Sequence, residues 1–308
     1  MTHTVQLTEF RSTDNIVLPA LLFTPNIKTS KIALYLHGNG SSSVFYSVKK
    51  MNTLAKTLSQ NGIAFFPFNN RGAHYIHKLT KGIGSNKTDV KMGTANELIK
   101  DCVYDIDGAI DFLKDKGFNT FYLIGSSTGA NKIVVYHFYK RKNPVSKYIL
   151  LSGGDDTGLY YEMLGRKKFK NLLSKSKKAV KENRGGELVT KYLEGGLMSN
   201  QSLFDTINPD GDYNIFPFNE YMNKLDLSKK NLFQEFTTID KPTLVIYGEQ
   251  DEYCYGNASK CMAILEDQVR GNPLFIFKII KNTDHGFHGK ESELSQTISL
   301  WLKKNGTS

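Results

Sequence analysis

The sequence has 308 residues, of which 40% are hydrophobic and 23% are charged, and this balance is ordinary for a globular protein with a substantial core. Its net charge of +10 comes mostly from lysine, because only six of the 40 basic residues are arginines, the residues that nucleic-acid grooves use most. We therefore expect no nucleic-acid partner, and we expect no membrane partner because no apolar run is long enough to span a bilayer.

The N-terminal half of the sequence predicts a hairpin followed by alternating strands and helices. VQLTEF and NIVLPALLFTP flank a turn-like STDN, a pattern typical of an antiparallel hairpin. KIALYLH, from Lys31, is a continuous apolar run that ends before Gly38, as in a strand buried on both faces. The next predicted elements are a helix over 44–60, the strand IAFFPF, a polar loop over 69–94, a helix over 95–116, the strand TFYLIG, a helix over 126–140 and the strand YILLSGG.

The C-terminal part predicts TLVIYG and FIFKII as strands, with helices near 257–269 and 291–304. Alternation of strands and helices predicts an α/β fold, a mostly parallel sheet with helices on both faces. Residues 157–241 lack strand alternation, and a structureless loop of that length inside a compact domain would be unusual. We therefore predict a core of residues 1–156 and 242–308, and a mainly helical cap insertion of residues 157–241 over the carboxyl edge of the sheet.

The strongest chemical signal is GSSTG at residues 125–129, between the strand TFYLI and the helix ANKIVVYHFYK. A nucleophile at such a strand-to-helix turn has a strained backbone, and only small residues two positions away on either side avoid a clash. Gly125 and Gly129 meet this requirement around Ser127, whereas larger residues flank Ser126. Ser127 is therefore the predicted nucleophile, at the positive end of a helix dipole.

A serine hydroxyl needs a base to remove its proton. His285 lies in KNTDHGF, between the last predicted strand and the terminal helix. When the triad residues follow in the chain order serine, acid, histidine, the histidine is expected in this loop. His288 is the rival base. His74 and His77 form H-x-x-H without a third ligand, which is a weak metal signal, and we expect neither a metal nor a cofactor.

The acid that orients the base should follow the preceding strand, TLVIYG, where Glu249, Asp251 and Glu252 compete. We predict Asp251, because the turn after Gly248 must carry a side chain over the sheet edge towards His285. The two glutamates are predicted to be solvated. The acid holds the imidazole tautomer and stabilises the imidazolium as it forms.

A tetrahedral intermediate needs two amide donors. The backbone N–H of Thr128, directly after the nucleophile, is the first. The second is predicted to be the N–H of Asn39 in the glycine-rich loop HGNGSSS, which follows the first core strand. His37, which begins that loop, is predicted to pack beneath it as support.

LHGNG, IGSSTGAN, VIYGEQDE and NTDHGF together resemble the α/β-hydrolase superfamily, over residues 31–155 and 242–308. The resemblance implies the α/β-hydrolase fold and a serine hydrolase that cleaves a carboxylic ester. Ser126 stands where many relatives carry histidine. This difference weakens the assignment to any subgroup of the superfamily, but it removes no catalytic atom. MSNQSLFDTINPDGDY and FPFNNRGAH also resemble a hydrolase group that includes fungal siderophore-ester (fusarinine-type) esterases, which implies a medium-sized polar ester or amide.

Several alternatives stay open at this point. An acyltransferase, a thioesterase or a peptidase could use the same triad, because the cap and loops choose the leaving group; a non-catalytic binding protein would be expected to have lost a triad member. The segment Arg166–Arg184 carries nine basic residues and one acid, Glu182. It is either a solvated lid helix or a surface that attracts an anionic substrate. The expected partner is a small-molecule ester, with an anionic one left open.

The cellular compartment is predicted from two features. The first residues, MTHTVQLTEF, lack the basic start and apolar run of a signal peptide. The cysteines Cys102, Cys254 and Cys261 are odd in number and have no metal-ligand spacing. Because unpaired thiols are typical of a reducing compartment, we expect a cytoplasmic protein.

Overall fold

The computed structural model of the protein describes residues 3–189 and 197–303. Strands and helices alternate through most of it, as the sequence predicts. In chain order they are β1 (His3–Arg11), β2 (Val17–Pro25), β3 (Lys31–Leu36), α1 (Val48–Gln60), β4 (Ala64–Phe68), β5 (His77–Lys81), β6 (Thr88–Met92), α2 (Cys102–Asp115), β7 (Thr120–Ser126), α3 (Thr128–Tyr139), β8 (Val145–Leu151), α4 (Asp156–Lys181), β9 (Leu188–Val189), β10 (Met198–Ser199), α5 (Asn200–Ile207), α6 (Phe218–Asn223), α7 (Gln234–Thr237), β11 (Thr243–Gly248), α8 (Ala258–Gln268), β12 (Phe275–Ile280) and α9 (Glu291–Lys303).

Eight of these strands form one sheet, in the order β1-β2-β4-β3-β7-β8-β11-β12. Strand β2 pairs antiparallel with β1 and β4, and every pair from β4 to β12 is parallel. Apolar side chains of α1 and α9 pack on one face of the sheet, and those of α2, α3 and α8 pack on the other. The predicted mostly parallel sheet with helices on both faces is confirmed. Its parallel strands bring their carboxyl ends, and the loops that follow them, to one edge.

Three predicted boundaries in the N-terminal half are wrong. The polar loop over 69–94 contains the antiparallel hairpin β5–β6, whose alternation is hidden because most residues of both strands are polar. Helix α1 begins four residues later than predicted, at Val48. Helix α2 begins at Cys102 after a 3₁₀ turn, because the N–H of Ile99 is held by the Asp205 carboxylate at 2.8 Å.

The segment between β8 and β11 is mainly helical within the described residues, with the two-residue strands β9 and β10 paired in it. Residues 190–196 of the predicted helical cap lie outside the described part. Helix α4 is kinked at Gly165, where φ is 69°. Glycine adopts this left-handed φ without steric cost. The kink separates the start of α4, which faces the sheet edge, from the basic second part of the helix. The division into core and cap stays a prediction.

None of the described helices combines the length and the apolar character required to cross a membrane.

Candidate active site

The turn between β7 and α3 places Ser127 at the carboxyl edge of the sheet. Ser127 has φ 58° and ψ −132°, a conformation that costs free energy in any residue except glycine. The turn is held because the Ser127 N–H donates to the Leu151 carbonyl at 2.8 Å. The first amides of α3 have no partner inside the helix and point towards the same edge. Such a turn exposes a serine hydroxyl beside free N–H groups.

Two glycines make this turn possible by letting backbones touch. A Cβ atom on Gly125 would collide with the backbone of Gly129 and Ala130, and a Cβ on Gly129 would collide with the carbonyl oxygens of Leu36 and His37. The spacing argument from the sequence therefore has a direct steric basis in this fold. Gly129 in particular brings α3 against the end of β3.

His285 and Asp251 meet at the same edge, from the loops that follow β12 and β11. His285 Nδ1 lies 2.9 Å from Oδ1 and 3.0 Å from Oδ2 of Asp251. Asp251 is 2% exposed, and it also accepts the N–H of Tyr253 at 3.0 Å. A buried carboxylate on Nδ1 fixes the tautomer in which Nε2 carries the lone pair. The predicted acid and base are therefore in contact, and the ring of Tyr253 packs edge-on against the imidazole.

The rival base forms a different pair. His288 Nδ1 lies 2.7 Å from Asp284 Oδ2, and the His288 side chain is 79% exposed, so it faces solvent outside the cavity described below. Glu249 and Glu252 are exposed as predicted, but each also accepts an N–H of the His285 loop. Glu252 accepts the N–H of His285 itself at 3.1 Å.

The loop after β3 lies directly against the nucleophile turn. A Cβ atom on Gly38 would come within 2.8 Å of Ser127 Cβ, so only glycine permits this approach. Next to it, the Asn39 side chain is fixed because Nδ2 donates to the Tyr213 hydroxyl at 2.7 Å and Oδ1 accepts the Gly40 N–H at 2.9 Å. The two predicted amide donors, Asn39 and Thr128, thus belong to adjoining segments that flank Ser127.

A buried polar network supports this loop from below. His37 Nδ1–H donates to the Gly38 carbonyl at 2.7 Å, and Nε2 accepts the Asn70 N–H at 3.2 Å. Burial, together with the positive charge of Lys132, lowers the pKa of His37 to about 3, so the ring is neutral. Lys132 in turn donates to Asn70 Oδ1 at 2.9 Å and to Glu97 Oε1 at 2.5 Å. The sequence predicted the role of His37 but not the network behind it.

Ser127, Thr128, Asn39 and His285 all line one cavity of about 560 Å³. Half of the described residues that line it carry a hydroxyl group. Its tyrosines are Tyr35, Tyr46, Tyr75, Tyr160 and Tyr253. The segment between β8 and β11 contributes Leu159 and Met198 to the same wall, whereas all basic residues of Arg166–Arg184 are exposed and none lines the cavity. Within the described chain no hydrogen bond joins the Ser127 hydroxyl to His285, and such bonds often tighten only when substrate is bound.

Sequence reasoning missed the carboxylate that lines the cavity, Asp156. It is the first residue of α4, and its Oδ2 lies 3.5 Å from Thr128 Oγ1. Burial raises the pKa of Asp156 to about 6, and His285 opposes the rise. The signal was present, because Asp156 follows the end of β8 as Asp251 follows the end of β11.

Over residues 3–189 and 197–303, no group of three or more histidine, cysteine, aspartate or glutamate side chains could hold a metal ion. His74 and His77 are close, with ring centroids 5.3 Å apart, and Tyr46 contacts His74 Nδ1 at 3.0 Å. The three cysteines predicted to be unpaired are free and buried.

The mostly parallel eight-stranded sheet with helices on both faces is that of the α/β-hydrolase fold, and solved structures agree on this fold. Est1E from Butyrivibrio proteoclasticus, with ferulic acid bound, has a TM-score of 0.62 at 14% identity, over 95% of this chain and 97% of that chain. The Pyrococcus furiosus esterase Pf2001 has a TM-score of 0.57 at 17% identity, over 98% and 90%. Carboxylesterase CesB from Bacillus subtilis has a TM-score of 0.53 at 16% identity, over 99% and 93%.

Residues 93–302 match the family described as "Protein of unknown function (DUF1749)". Because the match spans more than half of the sequence, the chain belongs to this family. No curated protein matches the sequence.

Proposed function

We propose that this protein is a serine esterase that forms an acyl-enzyme on Ser127. One observation carries the proposal: the buried Asp251 carboxylate holds His285 Nδ1 at 2.9 Å, on the cavity wall that also contains the strained Ser127. A base oriented by a buried acid beside an exposed serine is the arrangement that activates a hydroxyl for acyl transfer. Three segments, which follow β7, β11 and β12 at one sheet edge, contribute these groups.

In the proposed reaction, Ser127 Oγ attacks the ester carbonyl carbon while His285 Nε2 takes the hydroxyl proton. The negative charge on the carbonyl oxygen is met by the N–H groups of Asn39 and Thr128. The C–O bond to the alcohol then breaks, and His285 returns the proton to the departing oxygen. Water repeats the sequence on the acyl-enzyme, which releases the acid and restores Ser127. Asp251 stabilises the imidazolium in both halves of the reaction.

The wall of the cavity supports a polar substrate of small to medium size. Its volume of about 560 Å³ lies within the range of pockets for small molecules, and its many hydroxyl groups can bond a substrate's oxygen and nitrogen atoms. Est1E, one of the structural neighbours, binds ferulic acid, a polar aromatic acid. The loop segments that resemble siderophore-ester esterases favour the same kind of substrate for this chain.

A fluorophosphonate probe tests the nucleophile. Wild-type protein should be labelled, Ser127→Ala should not, and the matched neighbour variant Ser126→Ala should still be labelled. Labelling that persists in Ser127→Ala would refute the proposed acyl-enzyme. A screen of esters, amides and thioesters should then measure both products, the acid and the alcohol, amine or thiol. Release of the free acid indicates hydrolysis, whereas acyl transfer would give a new ester or amide of a second substrate.

A further inference from the structure

Asp156 is the carboxylate in the cavity that the proposed reaction does not use. Its one hydrogen bond from a described side chain, the Thr128 hydroxyl, is long at 3.5 Å, and a carboxylate can accept about four such bonds. The groups whose charge lowers the pKa of Asp156 against the effect of burial are His285, when it is protonated, and Lys132. His285 is already held by Asp251 and Lys132 by Glu97 at 2.5 Å, so both have partners elsewhere.

The residue before it shows what a structural carboxylate looks like in this fold. Asp155 accepts the N–H of Asn219 at 2.7 Å, the N–H of Gly158 at 2.8 Å and the hydroxyl of Tyr255 at 2.9 Å. Asp155 is 2% exposed and lies outside the cavity wall, whereas Asp156 is half-buried and lines it. Asp155 thus fastens α4, and Asp156 is left to face the cavity.

Two tyrosines, Tyr160 and Tyr253, line the same cavity as this carboxylate. A carboxylate attracts a cation through its charge, and the faces of tyrosine rings can add to that attraction. The other fixed charge among the described lining residues is Lys50, whose ammonium lies 5.9 Å from the centre of the Phe287 ring.

We propose that Asp156 binds a positively charged group of the substrate, so that the enzyme prefers esters that carry an ammonium group close to the ester bond. Thr128 sets the distance between the ester carbonyl and the ammonium group. Its N–H is the proposed oxyanion donor, and its hydroxyl contacts Asp156. This inference rests on the proposed esterase activity and names the substrate class for it. The exposed basic segment Arg166–Arg184 does not line the cavity, so its positive charge would act on a substrate only at long range.

The test compares acetylcholine with the neutral ester in which a tert-butyl group replaces the trimethylammonium group. A second pair places the same two groups at the end of the acyl chain of nitrophenyl esters, because the cation could belong to either half of the substrate. In at least one pair, the wild-type kcat/KM should favour the cationic ester by about tenfold, the effect of a partly desolvated charge pair. Asp156→Asn should bring that ratio close to one, mainly by raising KM for the cationic ester.

Glu162→Gln is the matched control, because Glu162 is exposed on the same helix and lies outside the cavity. It should keep the wild-type ratio. Equal losses for cationic and neutral esters in Asp156→Asn would overturn the proposal, since the carboxylate would then act on His285 and not on substrate. A wild-type ratio near one in both pairs, or faster hydrolysis of matched anionic esters, would overturn it too.

A second readout does not depend on turnover. Choline should slow fluorophosphonate labelling of the wild type but not of Asp156→Asn, and the neutral tert-butyl alcohol should slow neither. If Ser127 is labelled and neutral esters are hydrolysed while choline has no effect, the cation site alone is refuted. If Ser127 is not labelled at all, the proposed function itself fails.

Discussion

The ammonium of Lys132 lies 2.5 Å from the Glu97 carboxylate, and both side chains are buried, at 0% and 3% exposure. Lys132 belongs to α3, the helix that Ser127 precedes, and Glu97 belongs to the segment before α2. Because Lys132 also bonds Asn70, and Asn70 bonds His37, one chain of contacts links the nucleophile helix to the loop that holds Asn39. The pair fixes two segments that must flank the substrate carbonyl.

Lys132→Met should destabilise the protein by about 3–5 kcal/mol, because it leaves the Glu97 carboxylate buried without its partner. Urea unfolding of the purified variant measures the loss. The double variant Lys132→Met/Glu97→Gln should recover much of it, since a neutral amide is less costly to bury than a charge. Equal stability of the single and double variants would mean that the pair is not the source of the loss.

The sequence predicts those parts of this protein that rest on local rules. Apolar runs and turn residues are local, so the central strands and the turn around Ser127 are visible in the sequence. The pair Lys132–Glu97 joins positions far apart, and a lysine inside an apolar helix pattern gives no sign of its partner. The hairpin β5–β6 was missed because its strands are mostly polar, and only Leu79, Val90 and Met92 pack against the core. Asp156 was missed because its contact with Thr128 joins positions 28 residues apart, which no local pattern of the sequence indicates.

Gly38→Ala should lower kcat/KM by about 10²–10³-fold, the cost of losing one oxyanion donor. The added methyl group would lie 2.8 Å from Ser127 Cβ, so the loop must move away and carry the Asn39 N–H with it. Gly186→Ala is the control, because a Cβ there meets nothing within 4 Å. Unchanged kinetics in Gly38→Ala would show that this loop does not supply the donor.

His37 should make the protein less stable in mild acid. Its pKa falls from an ordinary 6.5 to about 3 in the folded state, so between these values the unfolded chain binds the extra proton. Stability therefore rises with pH in this window, and the His37 contribution is complete above about pH 6.5 and is lost as pH falls towards 3. The slope reaches ~1.4 kcal/mol per pH unit.

Urea unfolding of the wild type and His37→Asn at several pH values isolates this contribution from that of other groups. The difference between the two curves should be constant above pH 7 and should shrink as the pH falls through 6 and 5. Parallel curves across the whole range would show that His37 titrates alike in the folded and unfolded protein.

Asp251→Asn should reduce kcat by about 10⁴-fold with little change in folding, because the amide cannot hold the productive tautomer of His285. The neighbouring pair Asp284–His288 is an internal control of the same chemistry, with its nitrogen and oxygen 2.7 Å apart but at the surface. Asp284→Asn should therefore leave kcat nearly unchanged. Rates of ester hydrolysis and of fluorophosphonate labelling should fall together in Asp251→Asn, since both need the same activated hydroxyl. Should Asp284→Asn prove the slower enzyme, the acid and base would have to be reassigned to that pair, and the contact between His285 and Asp251 would be only structural.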